Sequence, residues 1–164
     1  MKDYEQIEDD LVSVLKDNQS LKSIADITAL PDNESELQRN LTKPKVYIVY
    51  TGSTFDDPEN NNVVIQSERM RFEAIIRSRT RRGAGGILDL LKRIGQLLQG
   101  RKMYIGCDPI ALDQDGYIDG VQNNFNYVLA FNIVTKSASI VPDPDAEDPA
   151  NNVYKLKVPE FITE

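Results

Sequence analysis

Ser67-Glu68-Arg69-Met70-Arg71-Phe72-Glu73-Ala74-Ile75-Ile76-Arg77-Ser78-Arg79-Thr80 is the stretch on which the fold turns. Even positions carry Met70, Phe72, Ala74, Ile76, Ser78 and Thr80. Odd positions carry Arg69, Arg71, Glu73, Ile75, Arg77 and Arg79, and Arg81 continues the row. Successive side chains of a strand point to opposite faces, so the pattern predicts a strand with a core face and an arginine face. A helix is the competing reading; the alternation, broken only at Ile75, favours the strand.

On the N-terminal side, Lys45-Val46-Tyr47-Ile48-Val49-Tyr50 is β-branched and aromatic, and Pro44 suits a strand start. Between this strand and Val63, Thr51 to Asn62 reads as a long, mobile, polar hairpin loop. Further upstream, Tyr4, Ile7, Leu11, Val14 and Leu15 recur at helical spacing, with Asp3 as a cap and acids on the other side. Leu21, Ile24, Ile27 and Leu30 form an apolar run too broken to assign, and Glu36 to Asn40 is a short helix or a loop.

On the C-terminal side, Arg82-Gly83-Ala84-Gly85-Gly86 breaks the strand and opens the clearest helix. Ile87, Leu90, Leu91, Ile94, Leu97 and Leu98 form one apolar stripe, with Gly100 as terminator. Leu91, Ile94 and Leu98 are expected buried against the sheet face of Phe72 and Tyr127 or Phe131. Met103 to Cys107 and Ile110 to Leu112 read as short strands, and Asp115-Gly116 as a tight turn. The longest alternation is Asn123 to Lys136, with Phe125, Tyr127, Leu129, Phe131 and Ile133 on one face. Val141 to Asn152 holds three prolines and four acids and reads as an exposed arm; Val153 to Val158 returns to strand alternation before Pro159. The expected class is α+β: a mixed or antiparallel sheet packed against an N-terminal helix and a central amphipathic helix. Residues 1–140 form the domain, and 141–164 an acidic, proline-rich arm with a short strand.

Composition narrows function. The chain has 164 residues, 40% of them apolar and 27% charged, an ordinary globular mixture for one domain. No apolar run is long enough to span a membrane, and the early acids exclude a secretory signal. A single cysteine, Cys107, excludes an internal disulfide, and the absence of histidine removes the usual triads, zinc sites and general base. The expectation is a non-enzyme without cofactor or metal. The net charge of −7 is unevenly spread: ten cations against two anions between Arg69 and Lys102 give +8, leaving −15 for the rest. A chain with a positive middle and acidic flanks can attract its own copies.

The local motifs are weak. Gly83 to Gly86 before a helix invites a phosphate-loop reading, but no Lys-Ser/Thr pair follows and Leu88 stands in place of the last glycine of a dinucleotide fingerprint. Asp113 to Asp119 resembles the start of a calcium loop, yet Tyr117, Ile118 and Asn124 stand where an oxygen ligand, glycine and glutamate are needed; a hairpin turn is expected. Asp56, Asp57 and Glu59 read as a solvated loop, and Cys107 as a small core residue. The arginine row lacks interleaved aromatics and the chain's pI is 4.7, which argues against sequence-specific nucleic-acid binding.

The order of the pieces is similar to that of the small tail terminator (tail completion) proteins of Mu-like contractile-tailed phages and prophages. The resemblance lies in the acidic first helix, Lys43 to Tyr50, Ser67 to Ile76, the helix Gly86 to Gln99 and the aromatic strand Asn124 to Phe131. It implies a structural protein of the virion tail, assembled in the host bacterial cytoplasm. Six copies would form a ring that caps the tail tube, ends tube and sheath polymerisation and joins the neck. Implied partners are copies of itself, the tail tube and sheath proteins and the neck proteins, with non-specific contact to DNA in the lumen and no membrane. Arg69, Arg71, Arg77, Arg79, Arg81 and Arg82 are the candidate subunit-interface or lumen residues. Glu5, Glu8, Asp9 and Asp10, or Asp143 to Asp148, of an adjacent copy are their candidate counter-charges, and neither Arg77 nor Arg79 is expected in the core. An adaptor for an acidic protein partner is the alternative, and an enzyme using the Gly83–Gly86 turn a more distant one.

Overall fold

The computed structural model describes residues 3–37, 41–61, 63–121 and 123–140. Helix α1 (Tyr4–Lys16) starts where Asp3 accepts the Gln6 N–H, and it buries Ile7, Leu11, Val12 and Leu15. The unassigned run after it resolves into α2 (Gln19–Ile24), capped by Asn18, and strand β1 (Asp26–Ala29). Helix α3 (Glu34–Leu37) follows. Strands β2 (Lys45–Phe55), β3 (Glu59–Asn61) and β4 (Val63–Ser78), helix α4 (Ile87–Leu98), and strands β5 (Ala111–Val121) and β6 (Asn124–Ile140) complete the described chain.

The sheet order is β1-β2-β4-β6-β5, with β3 pairing the start of β4. Among the described strands only β1 runs parallel to its neighbour, so the sheet is mixed and the class α+β. The even row of β4 packs as its parity requires: Met70, Phe72, Ala74 and Ile76 are fully buried. In register beside them on β6 stand Ile133, Phe131, Leu129 and Tyr127, and the Phe72 and Phe131 rings lie 6.1 Å apart. Helices α1 and α4 cover this face, with Ile94 and Leu98 fully buried and Leu91 half-buried at the margin.

Four expectations need correction. The stretch from Thr51 is not a loop: β2 runs on to Phe55 and β3 resumes at Glu59, so the turn is only residues 56–58. The sheet therefore continues past the core as an arm, with β2 pairing β4 as far as Phe55, β3 taking its place there, and β4 and β6 paired to where Val63 meets Ile140. Met103 to Cys107 is a turn joined to the sheet by one bridge, Cys107 to Thr135, because Gly106 takes φ +96°. Asp115-Gly116, and with it the calcium-like stretch, lies inside β5 rather than at a hairpin turn. The β5–β6 turn is at Asn123, whose φ of 61° an asparagine tolerates better than most residues. Leu91 borders the core without being buried. The acidic arm and the strand expected at Val153 to Val158 lie outside the described residues.

Candidate functional site

The six arginines do not form one row. Arg69 is exposed on the outer sheet face, opposite Thr54 and Val134. Arg71 is held between two carboxylates of its own chain, Nη1 at 2.9 Å from Asp113 Oδ2 and Nη2 at 3.3 Å from Glu73 Oε1. Arg77 is only 7% exposed. Its Nε donates to Asn126 Oδ1 at 2.9 Å, its Nη1 donates to the Leu37 carbonyl, and Asn126 Nδ2 in turn donates to Asp119 Oδ1 at 2.6 Å. Strand β4 ends at Ser78, so Arg79, Arg81 and Arg82 are exposed in the turn before α4, where Arg81 Nε donates to the Tyr127 hydroxyl at 3.1 Å.

Arg77 thus corrects the expectation that it stays out of the core. The outer face is not bare at this end: Arg77 and Ile75 share a cleft of about 250 Å³ with Leu30, Leu37, buried Tyr47, Ile118, Asp119 and Asn126. The signal was present in the sequence as Ile75, an apolar residue interrupting the arginine side. An interruption of that kind marks where a face is covered.

The glycine turn is occupied by its own chain. Gly85 N–H donates to Asp89 Oδ2, Ile87 N–H to the Thr80 carbonyl and Leu88 N–H to the Arg81 carbonyl. The donors that would cradle a phosphate at a helix start are therefore engaged. The Gly85 N–H, and after it the Arg93 guanidinium at 2.9 Å, hold the Asp89 carboxyl below the usual carboxylate range. Among the described residues no group of three or more His, Cys, Asp or Glu side chains could hold a metal ion. Cys107 is buried, and its Sγ donates to the Tyr104 carbonyl at 3.1 Å. Burial raises the Tyr104 hydroxyl above the ordinary tyrosine value.

A polar cluster at the root of the arm escaped the sequence reading. Glu68 is 1% exposed and accepts from the Tyr4 hydroxyl at 2.7 Å and the Ser53 hydroxyl at 2.6 Å. The Tyr4 and Tyr50 rings stack at 4.1 Å, and Glu8 of α1 accepts the Tyr50 N–H, which lies beyond the end of β1. Donation to Glu68 is the main cause that pushes the Tyr4 hydroxyl up to about 12. The available signal was parity: Glu68 shares the even, core-facing row with Met70 and Phe72. Of the first helix's acids, Glu5 and Asp9 are exposed, whereas Glu8 is committed to Tyr50.

Among the described residues no helix is long and apolar enough to cross a membrane. A family model described as Gp37 protein matches residues 19–154, and the chain belongs to this family of phage proteins. No curated protein matches the chain.

Proposed function

We propose that this phage protein is a tail terminator: copies close into a six-membered ring on the tail tube, end tube and sheath polymerisation and present a surface to the neck. Membership of a phage protein family carries the reading, because it supports a structural or assembly role in the particle. Charge layout supports the ring. Exposed cations (Arg69, Arg79, Arg81, Arg82, Arg101 and Lys102) stand on one chain with exposed acids such as Glu5 and Asp9. A ring is closed by a heterologous interface, one face meeting a different face of the next copy, and opposite charges on those faces favour it.

The reading assigns no catalytic step and no cofactor to the chain. Arg79, Arg81 and Arg82 are the assembly candidates, since they are exposed and lie outside the strand. Arg69 is free to face a neighbour or DNA passing the lumen, a contact with phosphates that needs no base recognition. Arg77, held by Leu37 and Asn126, supports the fold of each subunit.

Size-exclusion chromatography with light scattering tests the reading. A mass of six 18.5 kDa chains is expected at low salt. A strict monomer at high concentration and low salt would overturn the ring and favour the adaptor. Electron microscopy of particles assembled without the protein should show tubes of uncontrolled length, and tubes of normal length would refute the terminator role.

A further inference from the structure

A cavity of about 340 Å³ opens at the end of the sheet opposite the arm, between α2, the segment before β2 and the glycine turn before α4. Its apolar lining is Ile24, Leu41, Pro44 and Ala84, and its charged lining is Lys43 and Arg79. Lys43 is paired with Asp26 at 3.0 Å, whereas Arg79 is exposed just past the end of β4, with Arg81 and Arg82 exposed in the same turn. Among the described residues no acidic side chain lines this cavity. Asp89, which accepts the Gly85 N–H beside it, is paired with Arg93. Two other clefts differ in this respect: the groove between α4 and β5 has Asp115 in its lining, and the outer cleft beside Arg77 has Asp119. An apolar floor with guanidinium groups at the rim fits an apolar side chain flanked by carboxylates.

The arm presents such a group. Phe55 ends β2 with 55% of its surface exposed, and Asp56, Asp57 and Glu59 follow it, all exposed. We infer that Phe55 of one copy seats in this cavity of the next copy, with Asp56, Asp57 and Glu59 against Arg79, Arg81 and Arg82. The inference rests on the ring reading above and names the contact that closes the ring.

Geometry assigns the cavity to another copy's arm. Phe55 lies in register with Glu68 on β4, and Ser78, at the far end of the same strand, lines the cavity. Ten positions separate Glu68 from Ser78, or ~33 Å at ~3.3 Å per residue. Strand β4 pairs with β6 from Val63 to Ser78 without a register shift, so one continuous ladder holds the two sites apart. A subunit cannot bring its own Phe55 to its own cavity. Each copy offers one arm and one cavity at opposite ends, the heterologous arrangement that closes a ring. Every copy also carries both halves of the charge match, three acids at one end and three arginines at the other.

Charge exchange in the full chain tests the contact. One variant carries Asp56→Lys and Asp57→Lys, a second Arg79→Glu and Arg82→Glu, and a third Phe55→Ala. All five positions are exposed, and circular dichroism checks that each variant is folded. Light scattering at low salt reads the mass. The parent should have the mass of six chains, and each variant alone should fall towards one chain of 18.5 kDa. An equimolar mixture of the first two variants should return to the parental mass. In an alternating ring every reversed arm meets a reversed cavity, and every native arm meets a native one. A parental mass in the arm variants, or loss in both charge variants without recovery on mixing, would overturn the docking while the parent's mass upholds the ring. A parent of two chains whose variants dissociate and recover on mixing would uphold the docking as a reciprocal pair and overturn the six-membered ring. A monomeric parent would overturn both.

Discussion

Arg77→Glu and Arg79→Glu change residues two positions apart and should give opposite results. At Arg77 the substitution removes the donors that satisfy Asn126 Oδ1 and the Leu37 carbonyl, in a site 7% exposed. A buried polar atom that loses its partner costs about 1–3 kcal/mol. The new carboxylate also stands beside the Asn126–Asp119 contact, so one buried positive charge becomes a negative charge near a like one. Breaking a buried charged contact from one side costs roughly 3–5 kcal/mol. In a chain of 164 residues each kcal/mol moves the melting temperature by about 2–4 °C, giving a fall of roughly 6–20 °C. Arg79 is exposed beyond the end of β4, so Arg79→Glu should stay within about 0.5 kcal/mol and leave the melting temperature nearly unchanged. Its effect should appear instead as a lower mass by light scattering. Thermal denaturation followed by circular dichroism, run beside light scattering on both variants, separates the two. An Arg77→Glu protein melting within ~2 °C of the parent would refute the reasoning, because the guanidinium would then not be satisfying buried acceptors.

Ile94→Ala removes a fully buried side chain of α4 and should cost ~2–5 kcal/mol in chemical denaturation; an unchanged midpoint would mean that α4 is not packed on the sheet. The raised Tyr4 value favours the neutral hydroxyl in the folded state. Its contribution is whole below the ordinary tyrosine value of ~10 and is lost as pH rises through about 12, so Tyr4→Phe should flatten the alkaline limb of a stability profile. For Asp89 the sign reverses: its lowered value contributes stability above ~4 that disappears as pH falls through the folded value, and Asp89→Asn should remove that acid limb. Ring mass should decline as ionic strength rises from ~0.1 to ~1 M, where the Debye length falls from ~10 to ~3 Å; a mass independent of salt would show that charge does not hold the ring.

Most of the fold was legible because two periods dominate its sequence. The even row Met70 to Ile76 and the helical stripe Ile87 to Leu98 each name one buried face, and burial of both faces against each other defines the core. What escaped was structure that period alone does not encode. β1 is four residues long and draws its stability from lying parallel to Lys45 to Ile48, a partner remote in sequence. Thr51 to Thr54 has no large apolar side chain on either face, and it becomes a strand because Arg71 to Arg69 lie beside it. Asp115-Gly116 favours a turn locally, but its position opposite Leu129 and Val128 keeps it in β5. In each case a long-range ladder outweighs local preference.

The same distinction explains the site. Alternation correctly separated arginine side from core side along β4, yet it carries no information on what covers the arginine side. Leu37 arrives there from α3 and Asn126 from β6, residues 40 and 49 positions away from Arg77, and together they turn one member of a uniform-looking row into a structural residue. Glu68 is the mirror case: parity alone placed a carboxylate on the core face, and Tyr4 and Ser53 supply the donors that make this tolerable. The six arginines therefore divide by environment. Arg71 and Arg77 are committed within the subunit, so of these six the charge left for a neighbour is carried by Arg69 at the arm and by Arg79, Arg81 and Arg82 before α4. Arg69 and Arg79 lie on opposite sides of Ala74, each five positions or ~17 Å away, with Arg81 and Arg82 beyond the strand's end at Ser78. Such a separation exceeds the Debye length at physiological salt, so each group acts on its own counter-charge, and a ring held by both has two electrostatic contacts that mutation can remove independently.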